Sequence, residues 1–231
     1  MAFKLSRSIS SSYSHLAIVL IIMVTLLTVI RGLLRDIFHD DYVMYLGPAI
    51  VPFAILFFVF MVRLIRNLGV DERFIKFILG LLVSAIVLRL ASLFLSTDGQ
   101  GKFIFLALSS SLLLIIQSFC VYFMCSNLFI DTNPIKEKLW ASVCVYFMIG
   151  ATFGTLYSLL ITVNPGSFGM ELTRPLDIYI MGLVYSFNVI SGLDPIYEHV
   201  SETIRMAAVL ESIFIMLFMV ILIGRLLGSK D

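Results

Sequence analysis

Apolar residues arrive in this chain in long unbroken blocks, separated by short polar connections, and the blocks predict helices that cross a bilayer. The first block runs from Leu16 to Leu34 and the second from Tyr42 to Ile65, with Gly47 and Pro48 near its start and Pro52 placed to bend it. The third runs from Phe74 to Leu95, the fourth from Phe103 to Phe129, the fifth from Leu139 to Val163 and the sixth from Thr203 to Leu227. Each is close to the twenty or so residues that a hydrocarbon core demands, with some tilt allowed for the longer ones. The polar, serine-rich residues 1–15 read as a segment outside the membrane, and the turn DTNPIKEK (131–138) separates the fourth block from Trp140 at the interfacial start of the fifth. The first block is long for a signal peptide and no A-x-A site follows it, so it reads as an anchored helix.

The connection from Asn164 to Glu202 breaks the pattern. Its apolar part covers roughly sixteen residues, Pro175 to Ile190, too few to cross comfortably, and Ser191–Gly192 interrupts it. Pro175 suits the first turn of a helix and Asp177 suits its positive end. Two readings fit: a short helix that enters the membrane, stops and returns as extended chain, or an amphipathic helix lying on the surface. The first requires that the broken backbone be surrounded by protein or water. The expected fold is therefore an all-α membrane protein with six transmembrane helices and a re-entrant helix and loop between helices five and six.

Composition agrees with the pattern. Sixty per cent of the residues are hydrophobic, 13% are charged, and the mean hydropathy is +1.06. Soluble domains carry about a quarter charged residues. A net charge of +1 argues against nucleic-acid binding. Cys120, Cys125 and Cys144 lie inside apolar runs, which argues against a disulfide framework, and His15, His39 and His199 are too scattered to suggest a metal site. Orientation follows from basic residues. With the N-terminus inside, Lys4, Arg7, Arg63, Arg66, Arg73 and Lys76 are cytoplasmic, as are Lys136, Lys138, Arg225 and Lys230. The positive-inside bias thus puts both termini in the cytoplasm of a multi-pass protein of the cell (inner) membrane, and the connection between helices five and six outside.

That outer connection is acidic. Asp177, Asp194, Glu198 and Glu202 would give it a negative mouth that concentrates cations, although acidic outer loops also follow from topology alone. Two charges lie deep within apolar blocks, Arg89 and Glu211, six to eight residues inward from an outer end and so roughly 9–12 Å deep. Such charges are paired or face water. They could pair with each other, Arg89 could snorkel outward, or Glu211 could accept hydrogen bonds from the re-entrant segment. Gly150, Gly154 and Ser158 form a small-residue stripe suited to close helix packing. The bulky run IFIMLFMVILIG of helix six would leave any pathway beside it narrow and able to gate by dewetting. No histidine sits in a core block and no nucleophile–base pair lines up, so an enzyme is not expected.

YSF (185–187) and RMAAVLESIFIMLFMVILIGRLLG (205–228) carry a resemblance to the pore module of the tetrameric potassium-channel superfamily, in its two-helix form. The second stretch is similar to that family's inner helix, with Leu210–Glu211, Arg225 and Gly228 at matching places. The resemblance spans about residues 139–228 and implies an outer helix, pore helix, filter-like loop and inner helix. It implies a homotetramer in the lipid bilayer, with passive conduction of monovalent cations (K+ or Na+) and no other cofactor. The filter-like loop would be Asn188, Val189, Ile190, Ser191, Gly192, Leu193 and Asp194, with Glu211 bracing the pore helix. The chain departs from the family at the filter, where no Gly-Tyr-Gly stands, and at the inner-helix hinge, where Ile215 replaces glycine. The departures imply a weakly selective or non-selective cation channel. A non-conducting structural or regulatory subunit and a small secondary ion transporter are the alternatives. Residues 16–129 form a peripheral four-helix domain on this reading and 130–138 a cytoplasmic linker. Its fourth helix lacks the arginine series of a voltage sensor. No attached soluble regulatory domain is expected.

Overall fold

The structure is a computed structural model, and it describes residues 2–25, 57–63, 65–67, 70–94, 99–128, 135–169, 175–193 and 199–228. All regular structure among them is helical. The elements are α1 (Ala2–Thr25), α2 (Glu72–Phe94), α3 (Gly99–Leu128), α4 (Ile135–Val163), a 3-10 turn (Pro165–Phe168), α5 (Pro175–Ser191) and α6 (Glu202–Gly228). Residues 57–63 and 65–67 are also helical. Among the described residues, four helices are long and apolar enough to cross a bilayer: Glu72–Ala91, Phe103–Leu128, Lys138–Val163 and Glu202–Gly224. They correspond to the third to sixth predicted blocks, and they are compatible with a membrane protein. The second half of the first block and most of the second lie outside the described residues.

Helices α3 and α4 each begin four residues earlier than the sequence predicts, so Ile135–Lys138 of the expected turn are helical, and two further boundaries differ more. Helix α1 begins at Ala2 rather than near Leu16. Serine is only mildly unfavourable in helices, and extending an existing helix costs far less than starting one, so the apolar run carries the preceding segment with it. Helix α5 continues through Asn188–Ser191, which the sequence reading assigned to a filter-like loop. β-branched Val189 and Ile190 are poor helix formers in isolation, but packing overrides so weak a preference.

The chain divides into two compact units. One comprises Met1–Ile75, Cys120–Phe147 and Leu222–Asp231. In it Tyr13, Leu16, Ala17 and Leu20 of α1 are buried, at the spacing of one helix face. Asn127 Nδ2 donates to Tyr13 Oη at 2.8 Å, and the Cys144 thiol lies 3.1 Å from the Tyr13 carbonyl oxygen. Cys120 Sγ approaches Met61 Sδ at 3.3 Å. The cysteines are free thiols.

The other unit comprises Lys76–Phe119 and Met148–Ile221. Ser109 ties α3 to α2 by donating to the Ala85 carbonyl oxygen at 3.0 Å. A core of Tyr157 and Ile161 from α4, Phe168 from the 3-10 turn, Ile178, Met181 and Tyr185 from α5, and Ile204 and Ala207 from α6 gathers around α5. The Ser201 amide donates to the Ser167 carbonyl oxygen at 2.8 Å, so the entry to α6 is fastened to the turn that leaves α4. Along α6 the buried positions Ile204, Ala207, Glu211, Ile215 and Phe218 recur at helical spacing, whereas Met206, Val209, Leu210, Phe214 and Leu217 on the other side are exposed.

Candidate functional site

Helix α5 is the element that the sequence marks as unusual, and its packing defines the site. It has 17 residues, hence a length of about 25 Å, short of the ~30 Å hydrocarbon core. It starts at Pro175, which lacks the amide that a first turn leaves unused, and Asp177 stands in that turn. Ile178, Ile180, Met181, Leu183, Tyr185 and Ser186 are buried along it.

Small residues let α4 and α5 approach closely. A Cβ on Gly182 would collide with the Gly154 carbonyl oxygen and come within 2.7 Å of Ser158 Oγ. One on Gly154 would lie 2.9 Å from Leu183 Cα, and one on Gly150 would lie 2.8 Å from Phe187 Cζ. The stripe of Gly150, Gly154 and Ser158 is therefore the surface on which α5 rests, as small-residue stripes serve elsewhere.

Glu211 sits at the centre of this packing. It is on α6, fully buried, and both carboxyl oxygens are engaged. The Tyr157 hydroxyl of α4 donates to Oε2 at 2.7 Å, and the Ser186 hydroxyl of α5 is in hydrogen-bond contact with Oε1. Ser186 Oγ is also 2.8 Å from the Gly150 carbonyl oxygen. Three helices thus converge on one carboxyl. The rings of Tyr157 and Phe168 pack edge-on against Tyr185, with centroids 4.9 Å and 5.0 Å away.

Arg89 is not a partner of that carboxyl. It lies on α2 beside Tyr179, at a small cavity that Leu106, Ser110, Ser158, Thr162 and Ile178 complete. Of the residues expected at an acidic mouth, Asp177 is half-buried in the first turn of α5 and Glu202 is exposed at the start of α6. Asp194 and Glu198 lie outside the described residues.

The C-terminal end of α5 is where the filter-like residues fall. Gly192 has φ +69°, a left-handed conformation that glycine adopts without penalty. Its amide donates to the Val189 carbonyl oxygen and that of Leu193 to the Asn188 carbonyl oxygen, each at 3.2 Å. This is a Schellman cap, and it satisfies carbonyls that the helix end would otherwise leave open. The Ser191 hydroxyl adds a bond of 3.0 Å to the Asn188 carbonyl oxygen. Asn188 and Val189 therefore direct their carbonyls into the cap rather than into a loop. Asn188 Nδ2 is buried and lacks a hydrogen-bond partner among the described residues. Gly192 and Leu193 are the first residues released from the helix, and both are exposed.

Tyr157 and Ser186 escaped the sequence reading, although each adjoins a feature that it singled out. Tyr157 precedes Ser158 of the small-residue stripe, and Ser186 is the middle residue of YSF. A hydroxyl flanking a packing stripe, opposite a carboxyl in an apolar block, is the signal that would find both.

Comparison with known proteins adds no relative: no protein-family model, no curated protein and no solved structure matches the chain.

Proposed function

We propose that residues 139–228 form the pore module of a homotetrameric cation channel resembling the potassium-channel superfamily, weakly selective or non-selective among monovalent cations. The observation that carries this reading is α5 itself. It is a helix too short to cross, buried along its length against the helix before it, braced on the helix after it through Ser186 and Glu211, and stopped by a left-handed glycine. On this reading α4 is the outer helix, α5 a re-entrant pore helix and α6 the inner helix. Four copies would bring Gly192, Leu193 and Asp194 together around one axis. Asn188 Nδ2, which has no partner among the described residues, would find one at that junction.

Weak selectivity follows from the cap. A potassium-type filter replaces the ion's hydration shell with successive rings of carbonyl oxygens. Here the Asn188 and Val189 carbonyls are already committed to backbone amides, which leaves few rings and favours partly hydrated cations. The same observation favours a second reading, a non-conducting structural or regulatory subunit that keeps the architecture of a pore module without its filter.

Native mass spectrometry of the protein released from mild detergent tests the assembly. The proposal expects a four-copy mass. A monomer under every condition that keeps the protein folded would remove the shared axis on which the channel reading depends.

A further inference from the structure

Ser186 Oγ stands within hydrogen-bond reach of two oxygens, the Gly150 carbonyl and Glu211 Oε1. A hydroxyl has one hydrogen to give. If Glu211 were a carboxylate, both oxygens would be pure acceptors and one of the two close contacts would lack a proton between its atoms. A proton on Glu211 Oε1 resolves the count. The carboxylic acid donates to Ser186 Oγ, the Ser186 hydrogen goes to the Gly150 carbonyl oxygen, and the Tyr157 hydroxyl donates to Oε2. Three donors then meet three acceptors.

Charge leads to the same arrangement. The carboxyl is fully buried, and among the described residues its polar partners are two neutral hydroxyls, with no guanidinium or ammonium beside it. A buried carboxylate without a cation is far more costly than a neutral acid with its hydrogen bonds made. Among the described residues, the titratable groups that face it are Tyr157 from α4 and Tyr185 from α5. On α6 itself Arg205 is exposed and six residues earlier, roughly 9 Å away along the helix.

We propose that Glu211 is a resident carboxylic acid, protonated at neutral pH, in a one-way hydrogen-bond chain that runs from Tyr157 through Glu211 and Ser186 to the Gly150 carbonyl. The chain makes the seat of α5 depend on one proton. Removing that proton puts a charge in an apolar core and turns the Ser186 hydrogen away from Gly150, which loosens α5 from α4 and α6. This inference is independent of whether the protein conducts ions.

Infrared difference spectroscopy of the full chain in lipid at neutral pH tests it, with Glu211→Gln and Ser186→Ala as the variants. The wild-type minus Glu211→Gln spectrum is expected to show one carboxylic-acid C=O stretch. Ser186→Ala should move that band to higher frequency, because the acid loses its acceptor. Glu211→Gln should fold and melt as the wild type does, since its amide can donate to Ser186 and accept from Tyr157. A carboxylate band in place of the acid band would overturn the proposal. So would a Glu211→Gln protein that fails to fold while Ser186→Ala folds, or an acid band that Ser186→Ala leaves unmoved.

Discussion

Tyr157 and Glu211, 54 positions apart in sequence, meet through a 2.7 Å hydrogen bond from the phenol to Oε2. Both side chains are fully buried. Tyr157→Phe keeps the ring that packs on Tyr185 and removes only the donor. The variant should lose about 1–2 kcal/mol of stability, the cost of leaving one acceptor of a buried carboxyl unmet. Thermal melting in detergent reads this, and an unchanged midpoint would show that the bond contributes nothing net.

A Cβ at Gly182 has no room. Its nearest neighbours would be a backbone carbonyl and the Ser158 side chain, on a helix already in close contact. Gly182→Ala should therefore push α5 away from α4 and cost about 1–3 kcal/mol, as overpacking does. Gly80→Ala is the control. Nothing among the described residues lies within 4 Å of a Cβ there, so the gain in helix propensity should leave stability equal or slightly higher.

Gly192 separates backbone strain from crowding. A Cβ there would meet nothing within 4 Å among the described residues, but φ is +69°. Gly192→Ala should thus cost about 1 kcal/mol through backbone conformation alone. Gly192→Asn should cost less, because asparagine tolerates the left-handed region, and Gly192→Val more. Equal effects from all three would mean that the cap does not hold this conformation.

The thiols give a test of the other unit. Cys120 and Cys144 are buried, whereas Cys125 is half-exposed. A maleimide small enough to enter detergent should modify Cys125 first in the folded protein, with the other two reacting after denaturation. Early modification of Cys144 would contradict its placement against the Tyr13 carbonyl oxygen.

Much of the site was legible in the residues, and what was missed has a physical cause. Pro175, Asp177 and Ser191–Gly192 marked both ends of α5, because a missing amide, a helix dipole and a left-handed turn are local properties. The stripe at Gly150, Gly154 and Ser158 was legible for a similar reason, since spacing alone puts those residues on one face. The partners of Glu211 were not. A lone charge in an apolar block announces that it needs something, but which of many hydroxyls supplies it depends on how three helices cross. The helical state of Asn188–Ser191 was also hidden, because a Schellman cap is made by amides beyond the helix and looks in sequence like the start of a loop.

The most direct test is single-channel recording from the purified protein in planar bilayers, with potassium on one side and sodium on the other. The account predicts unitary currents that reverse near zero, reduced in Asp194→Asn and altered by substitution of Gly192. Silence across voltage and pH, from protein shown to be folded, inserted and four-fold, would contradict conduction and leave the non-conducting subunit as the reading.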